Sequence, residues 1–207
     1  MFQVPKHHIT QIDLFSTTFS LPPSKDSKDG IEGLTEKNPL TLHQISKQDF
    51  KAFLKVLVPL YVFHKCCPRA QGRRDLQTSF RQIPHGYSNI LRDEWISTLK
   101  LSTMWEVTAL RDLSIRHLVN QLDAVKMILL GAEYRVSQWF IDGCTRLISR
   151  SQGPTEEEGN QLGVSLIVRI YGIRERSISL RIERITKGSA PHLDYERAVR
   201  EAFPDNI

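Results

Sequence analysis

The feature that most limits how this chain can fold is a succession of apolar stripes at helical spacing, beginning near Asp93 and continuing for most of the C-terminal half. Trp95, Leu99 and Ser102 fall on one face of a helix, and Leu110, Ser114, Ile115 and Leu118 on one face of the next, with a break near Val107 and Thr108. Residues three and four apart share a helix face, so two such stripes joined by a short connection predict a helical hairpin. Val125, Ile128, Leu129 and Ala132 mark a third helix, and Ser137 caps a fourth that carries Phe140, Cys144, Leu147 and Ile148. After Gly153-Pro154, the run Thr155-Glu156-Glu157-Glu158 puts a capping hydroxyl and three acids at the positive end of a helix. A last helix is expected from Val164 through Ile167, Ile170 and Ile173 into Arg174-Glu175-Arg176. Residues 183–207 are expected to form a frayed tail, with one short turn around Tyr195 to Ala202.

The N-terminal part reads differently. Phe2-Gln3-Val4-Pro5 has the look of a short strand ended by a proline, and Ile9, Ile12, Leu14, Phe15 and Phe19 suggest one or two short helices after it. Residues 22–39 are polar and rich in breakers, and Pro39-Leu40-Thr41-Leu42-His43 alternates like a half-buried strand. Ser46 with Asp49 three positions later is a helix start, and Phe50, Phe53, Leu54 and Leu57 continue it as one apolar stripe. Residues 60–90 show no sustained period and receive no assignment. The fold class expected is therefore α+β: a small sheet from residues 2–4 and 39–43 packed by helices, followed by helical hairpins. The expected divisions are a core at 1–59, an irregular basic insertion at 60–92, a hairpin extension at 93–182 and a tail at 183–207.

The hydrophobic and charged fractions, 40% and 25%, are those of an ordinary globular chain. The longest apolar stretch, Phe53 to Phe63, is broken by Lys55 and Pro59 and is too short to span a bilayer. Lys6, His7, His8, Gln11 and Asp13 interrupt the first twenty residues, which leaves no apolar core of a secretory signal. Three cysteines, with Cys66 and Cys67 adjacent, form no disulfide framework. Together these features predict an intracellular protein of the cytoplasm or nucleus, with no membrane partner. Between Lys65 and Arg92, six basic residues stand against Asp75 alone and account for the whole formal excess of +5. Charge confined to one loop-like stretch argues against a folded phosphate-tracking face, so nucleic acid is the weaker partner class.

The chain contains no nucleophile elbow, phosphate-binding glycine loop, dinucleotide motif or helical His-Glu-x-x-His, and no catalytic residue or cofactor is expected. His64 with the adjacent Cys66 and Cys67 lacks zinc-knuckle spacing, so no metal is expected either. Cys144 lies on an apolar helix face, where a buried thiol is inert. Trp95, Trp105 and Trp139 sit in helical contexts and are expected to serve packing or an interface.

Several of these segments together resemble the BTB/POZ-domain proteins that are numerous in mushroom-forming fungi. Phe2 to Ile9 resembles the family's strand-to-helix entry, Phe15 to Leu21 its following helix, and Asn38 to Leu42 with Ser46 to Phe50 its next strand and helix. Glu94 to Trp105, Ala109 to Ile115, Glu133 to Trp139 and Glu157 to Gly163 resemble the helices beyond the family's core. The resemblance implies a non-enzymatic interaction scaffold that self-associates or docks a protein partner. Some relatives act as substrate adaptors for cullin-based ubiquitin ligases, so a cullin scaffold is an implied partner. Phe2, Val4, Phe15, Phe19, Trp95, Trp105 and Trp139 become the candidate interaction or packing residues. The resemblance also implies a strand ahead of Phe2, and without it an open strand edge that invites association. Residues 60–90 stand where the family has a much shorter link, as an insertion or as mis-spliced sequence. A nucleic-acid-associated regulator using residues 65–92 is the alternative function.

Overall fold

The computed structural model describes residues 3–10, 12–20, 33, 38–66, 87, 89–188 and 192–206; for His7 and residues 59–66 it describes the backbone alone. The chain divides into two compact units, Met1–Leu118 and Val119–Ile207. That boundary cuts through the stretch expected to be a single extension, and places its first two helices with the N-terminal segments.

The architecture is helical, and the expected α+β fold is overturned: no sheet exists among the described residues. Gln3 to Pro5 are irregular, and Pro39 to Thr41 lead without strand structure into a turn at His43 and Gln44. Among the described residues there, Asn38 forms an isolated bridge, and its carbonyl accepts the Gly33 N–H at 2.7 Å. Alternation over five residues makes a strand only when a second strand supplies the backbone partners, and none is in place among the described residues. The strand edge expected from that sheet goes with it.

In the first unit, α1 (Lys6–Ile9) and α2 (Asp13–Ser20) precede α3 (Lys47–Cys66), and α4 (Arg92–Met104) and α5 (Thr108–Leu118) complete it. Helix α3 begins as its sequence demands, with the Ser46 hydroxyl accepting the Asp49 N–H at 2.9 Å. Phe50, Phe53 and Leu57 are buried on its inner face together with Val56, while Leu54 is half-buried. The helix continues through Pro59 to Cys66, so the first residues of the supposed irregular insertion are helical. A proline removes one intrahelical hydrogen bond without removing the flanking turns, and here they persist. Tyr87 is buried and α4 opens at Arg92. The rest of the basic stretch lies outside the described residues.

Two ion pairs bind α3 to α4. Asp49 accepts from the Ser97 hydroxyl at 2.7 Å and from Lys100 Nζ at 2.9 Å, and Lys55 Nζ bridges to Glu94 at 2.8 Å. Burial alone would raise the Asp49 pKa, but the hydrogen bonds from Ser97, Lys100 and Ser46 outweigh it and hold the carboxyl below its usual range. The Lys55 hydrogen bond, helped by the Leu91 amide, likewise lowers Glu94. Both carboxylates thus stay ionised against their lysines.

The second unit comprises α6 (Ala124–Glu133), α7 (Ser137–Ser149), α8 (Glu156–Leu162), α9 (Val164–Lys187) and α10 (Tyr195–Ala202), with a 3-10 turn at Pro204–Asn206. Helices α6 and α7 form the central hairpin. Their buried faces, Val125 and Ile128 on one and Phe140, Ile141, Cys144, Leu147 and Ile148 on the other, meet Ile170 and Ile173 of α9. Leu129 and Ala132 were expected in this core but are exposed; Met127 and Gly131 take the inner face instead. Ser137 starts α7 without capping it, since Val136 holds the cap position and offers no side-chain acceptor. The reciprocal box at α8 does form: the Thr155 hydroxyl accepts from the Glu158 N–H, and Glu158 accepts from the Thr155 N–H at 2.8 Å.

The described residues from 183 onward are not a frayed tail. Helix α9 runs on to Lys187 and stops at Gly188, whose φ of 76° suits a residue without a side chain. Asp194 then caps α10 by accepting the Arg197 N–H, and Ala198, Val199 and Phe203 are buried in the core beside Phe140. Ala198 and Val199 on its inner face, with Phe203 just beyond it, suffice for so short a helix because the remainder of the unit covers them.

Candidate interaction surface

The tryptophans proposed for packing or interaction all turn out to be packing residues. Trp95, 1% exposed, stacks on His117 with ring centroids 4.2 Å apart and lies 5.7 Å from Tyr87. Trp105 is met edge-on by Phe15, Phe50 and Phe53, the nearest at 4.9 Å. Trp139 is buried in the second unit. Phe15 is buried, Phe19 is half-buried beneath the Lys6 ammonium at 5.7 Å, and Val4 is half-buried. Phe2 lies outside the described residues. Cys144 is fully buried, and that burial pushes its thiol up to about 12, the state of an inert core cysteine. Cys67 lies outside the described residues, as do the side chains of His64 and Cys66. Among the described residues, no three His, Cys, Asp or Glu side chains cluster as metal ligands. None of their helices is long and apolar enough to cross a membrane.

The surface with the clearest order is on α9. One face of this 24-residue helix, Ile170, Ile173 and Ser177, is buried in its own unit. A second line of apolar side chains runs along the opposite side: Val164, Val168, Tyr171, Ile178, Ile182 and Ile185, each between 43% and 83% exposed. Their spacing alternates four and three residues, with Glu175 filling the place between Tyr171 and Ile178. At about 100° per residue this repeat keeps all seven positions on one narrow stripe, roughly opposite the core face. Ser165, Gly172, Ser179 and Thr186 border the stripe on one edge, and Arg174 and Arg181 on the other.

Several bonds fix α9 in place. Arg174 reaches back to the end of α7, donating to the carbonyls of Ile148 at 2.9 Å, Arg150 at 2.6 Å and Ser151 at 2.5 Å. Arg169 donates to the Ala202 carbonyl at 2.9 Å and lies over the Phe203 ring. The Tyr171 hydroxyl donates to the Pro154 carbonyl at 3.0 Å, and Ser177 and Tyr195 share a hydrogen bond at 2.8 Å. Arg150 in turn clasps Glu158 through both carboxylate oxygens, and that bond holds the carboxyl below its usual range. The first four turns are therefore a rigid platform. From Arg181 to Lys187, by contrast, every residue is exposed. Local bonds support that end, among them Lys187 with Glu183 at 3.1 Å and the Thr186 hydroxyl to the Ile182 carbonyl at 3.0 Å. It carries the seam residues Ile182 and Ile185 out on a helix that its own unit leaves uncovered.

The chain is thus defined by two all-helical units and, on the second, a helix with two opposed apolar faces. No family model, curated protein or solved structure matches it.

Proposed function

We propose that this chain is a protein-interaction module in which α9 is the docking element. The observation that carries this reading is the exposed seven-residue repeat from Val164 to Ile185. Scattered surface hydrophobics are common, but six large ones in register on one helix form a patch of a size that marks interaction sites. Apart from Tyr171, whose hydroxyl bonds the Pro154 carbonyl, the core face of the same helix supplies its packing in the unit. The interaction role implied by the BTB/POZ resemblance is retained and is assigned to a helix face in place of a strand edge. A cullin-linked adaptor is one use of such a surface, proposed on the resemblance alone. No catalytic role is proposed.

The Ile178→Asp/Ile182→Asp double variant separates this role from folding. Both side chains are about half exposed, so the thermal midpoint should stay within a few degrees of the parent, as for most surface changes. Affinity capture from cell extract should recover a stoichiometric protein partner with the parent chain and lose it with the variant. Equal recovery by both would refute the assignment to α9.

A further inference from the structure

We infer that the occupant of the α9 seam is a helix of a different protein, with its own apolar seven-residue seam, acidic borders and a basic or amide residue facing Glu175. This rests on the interaction reading above. An extended peptide repeats every two residues and cannot follow a stripe that repeats every 3.5, whereas a second helix packs its knobs into such a stripe directly. The seam spans most of 24 residues, a length of about 36 Å at 1.5 Å per residue, which matches a partner of some three heptads. Covering the exposed parts of its six apolar side chains buries roughly 600 Å² on this side, or about 1,200 Å² for the pair, the lower bound of a stable specific interface.

Charge selects the partner. Helix α9 carries Arg169, Arg174, Arg176, Arg181, Arg184 and Lys187 against Glu175 and Glu183. Among the described residues Arg176 and Arg181 have no ion-pair partner, and neither does Glu175 in the middle of the seam. A cleft of about 430 Å³ between α9 and α10 opens on the Gly172 side, with Arg169 and Arg176 on its wall. A side chain built at Gly172 would meet nothing within 4 Å, so a partner can approach that edge closely.

A second copy of this chain fits badly in either direction. Paired parallel and in register, Glu175 would meet its own copy in the buried seam. Paired antiparallel, the arginine-bearing edges would face each other, placing Arg174 and Arg181 against their equivalents. A lipid surface fits badly too. The stripe is narrow, and Glu175 at its centre would have to enter the acyl region, where a carboxylate is strongly disfavoured. An acidic-bordered helix gives Arg181, on the seam's edge, an ion-pair partner and offers Glu175 a countercharge.

The test uses the full chain and two designed helical peptides of about four heptads. Both have leucine at the seam positions and one lysine placed to face Glu175; one is bordered by glutamates, the other by lysines. Fluorescence anisotropy should show the glutamate-bordered peptide binding at least about tenfold more tightly at low salt, with the advantage shrinking as ionic strength rises. Arg181→Glu should cut the preference severalfold, and Ile178→Asp/Ile182→Asp should abolish binding of both peptides. Equal affinity for the two peptides, or no binding by either up to about 100 μM, would overturn the inferred partner chemistry. If capture of a cellular partner still depended on Ile178 and Ile182, the docking role of α9 would survive that failure; if it did not, both readings would fall. Flotation with phosphatidylserine vesicles that is lost in the Ile variant would assign the seam to a membrane. A concentration-dependent dimer abolished by Ile182→Asp would assign it to a second copy.

Discussion

Trp95→Ala is expected to destabilise the Met1–Leu118 unit by about 3 to 5 kcal/mol, the range for removing a fully buried large aromatic side chain. The indole is 1% exposed and lies flat on His117, with interplanar angle 9°, while Tyr87, ahead of α4, packs 5.7 Å from it. Neither neighbour can fill the space, because each is fixed by its own packing. The loss should appear as a lower denaturant midpoint with an unchanged slope. A second readout is His117. Burial, with a smaller contribution from Arg116, lowers its pKa, so opening the site to water should move its titration up toward the ordinary histidine value. A loss below about 1 kcal/mol would mean that the indole contributes little to the packing of α4 against α5.

Alanine at Gly131 or Gly143 is expected to cost about 2 to 3 kcal/mol, against the usual direction for a helix, where alanine is favoured over glycine by about 1 kcal/mol. A methyl at Gly131 would lie 2.7 Å from the Phe140 amide nitrogen; at Gly143 it would lie 2.7 Å from Ile128 Cγ1 and 2.8 Å from the Ala124 carbonyl oxygen. Two of these obstacles are backbone, so α6 and α7 would have to move apart and loosen the core around Phe140 and Cys144. Gly172→Ala, with nothing within 4 Å, provides the control and should stabilise by about 0.5 to 1 kcal/mol. Thermal melts of the three variants read the sign directly. Stabilisation by all three would show that the α6–α7 approach is looser than described.

What could be read in the sequence was local. Ser46 with Asp49 and Thr155 with Glu158 are set within one turn, and each is found where the residues place it. Features that depend on distant partners were not legible. The alternation in Pro39 to His43 needs a neighbouring strand to become one. Pro59 looks like a helix end but lies within α3. The inner face of α6 was misplaced because Leu129 and Ala132 fit the apolar pattern as well as Met127 and Gly131, and only the approach of α7 distinguishes them. The glycines at that crossing carry no local sign of their role. Whether Trp95, Trp105 and Trp139 were core or surface was likewise settled only by burial. The α9 seam was present in the spacing from Val164 to Ile185, yet the helix also carries Ile167, Ile170 and Ile173. Two apolar faces on one helix blur each other until burial shows which is spent in the core.

The most direct measurement of the central claim is site-specific photo-crosslinking in cells, with the reactive side chain placed at Val168, at Ile182 or at Arg184. The first two positions lie on the exposed seam, and Arg184 lies on the opposite side of the same exposed turns. The account predicts one and the same protein adduct from Val168 and Ile182 and none from Arg184. Equal adducts from all three positions, or none from the seam, would contradict it.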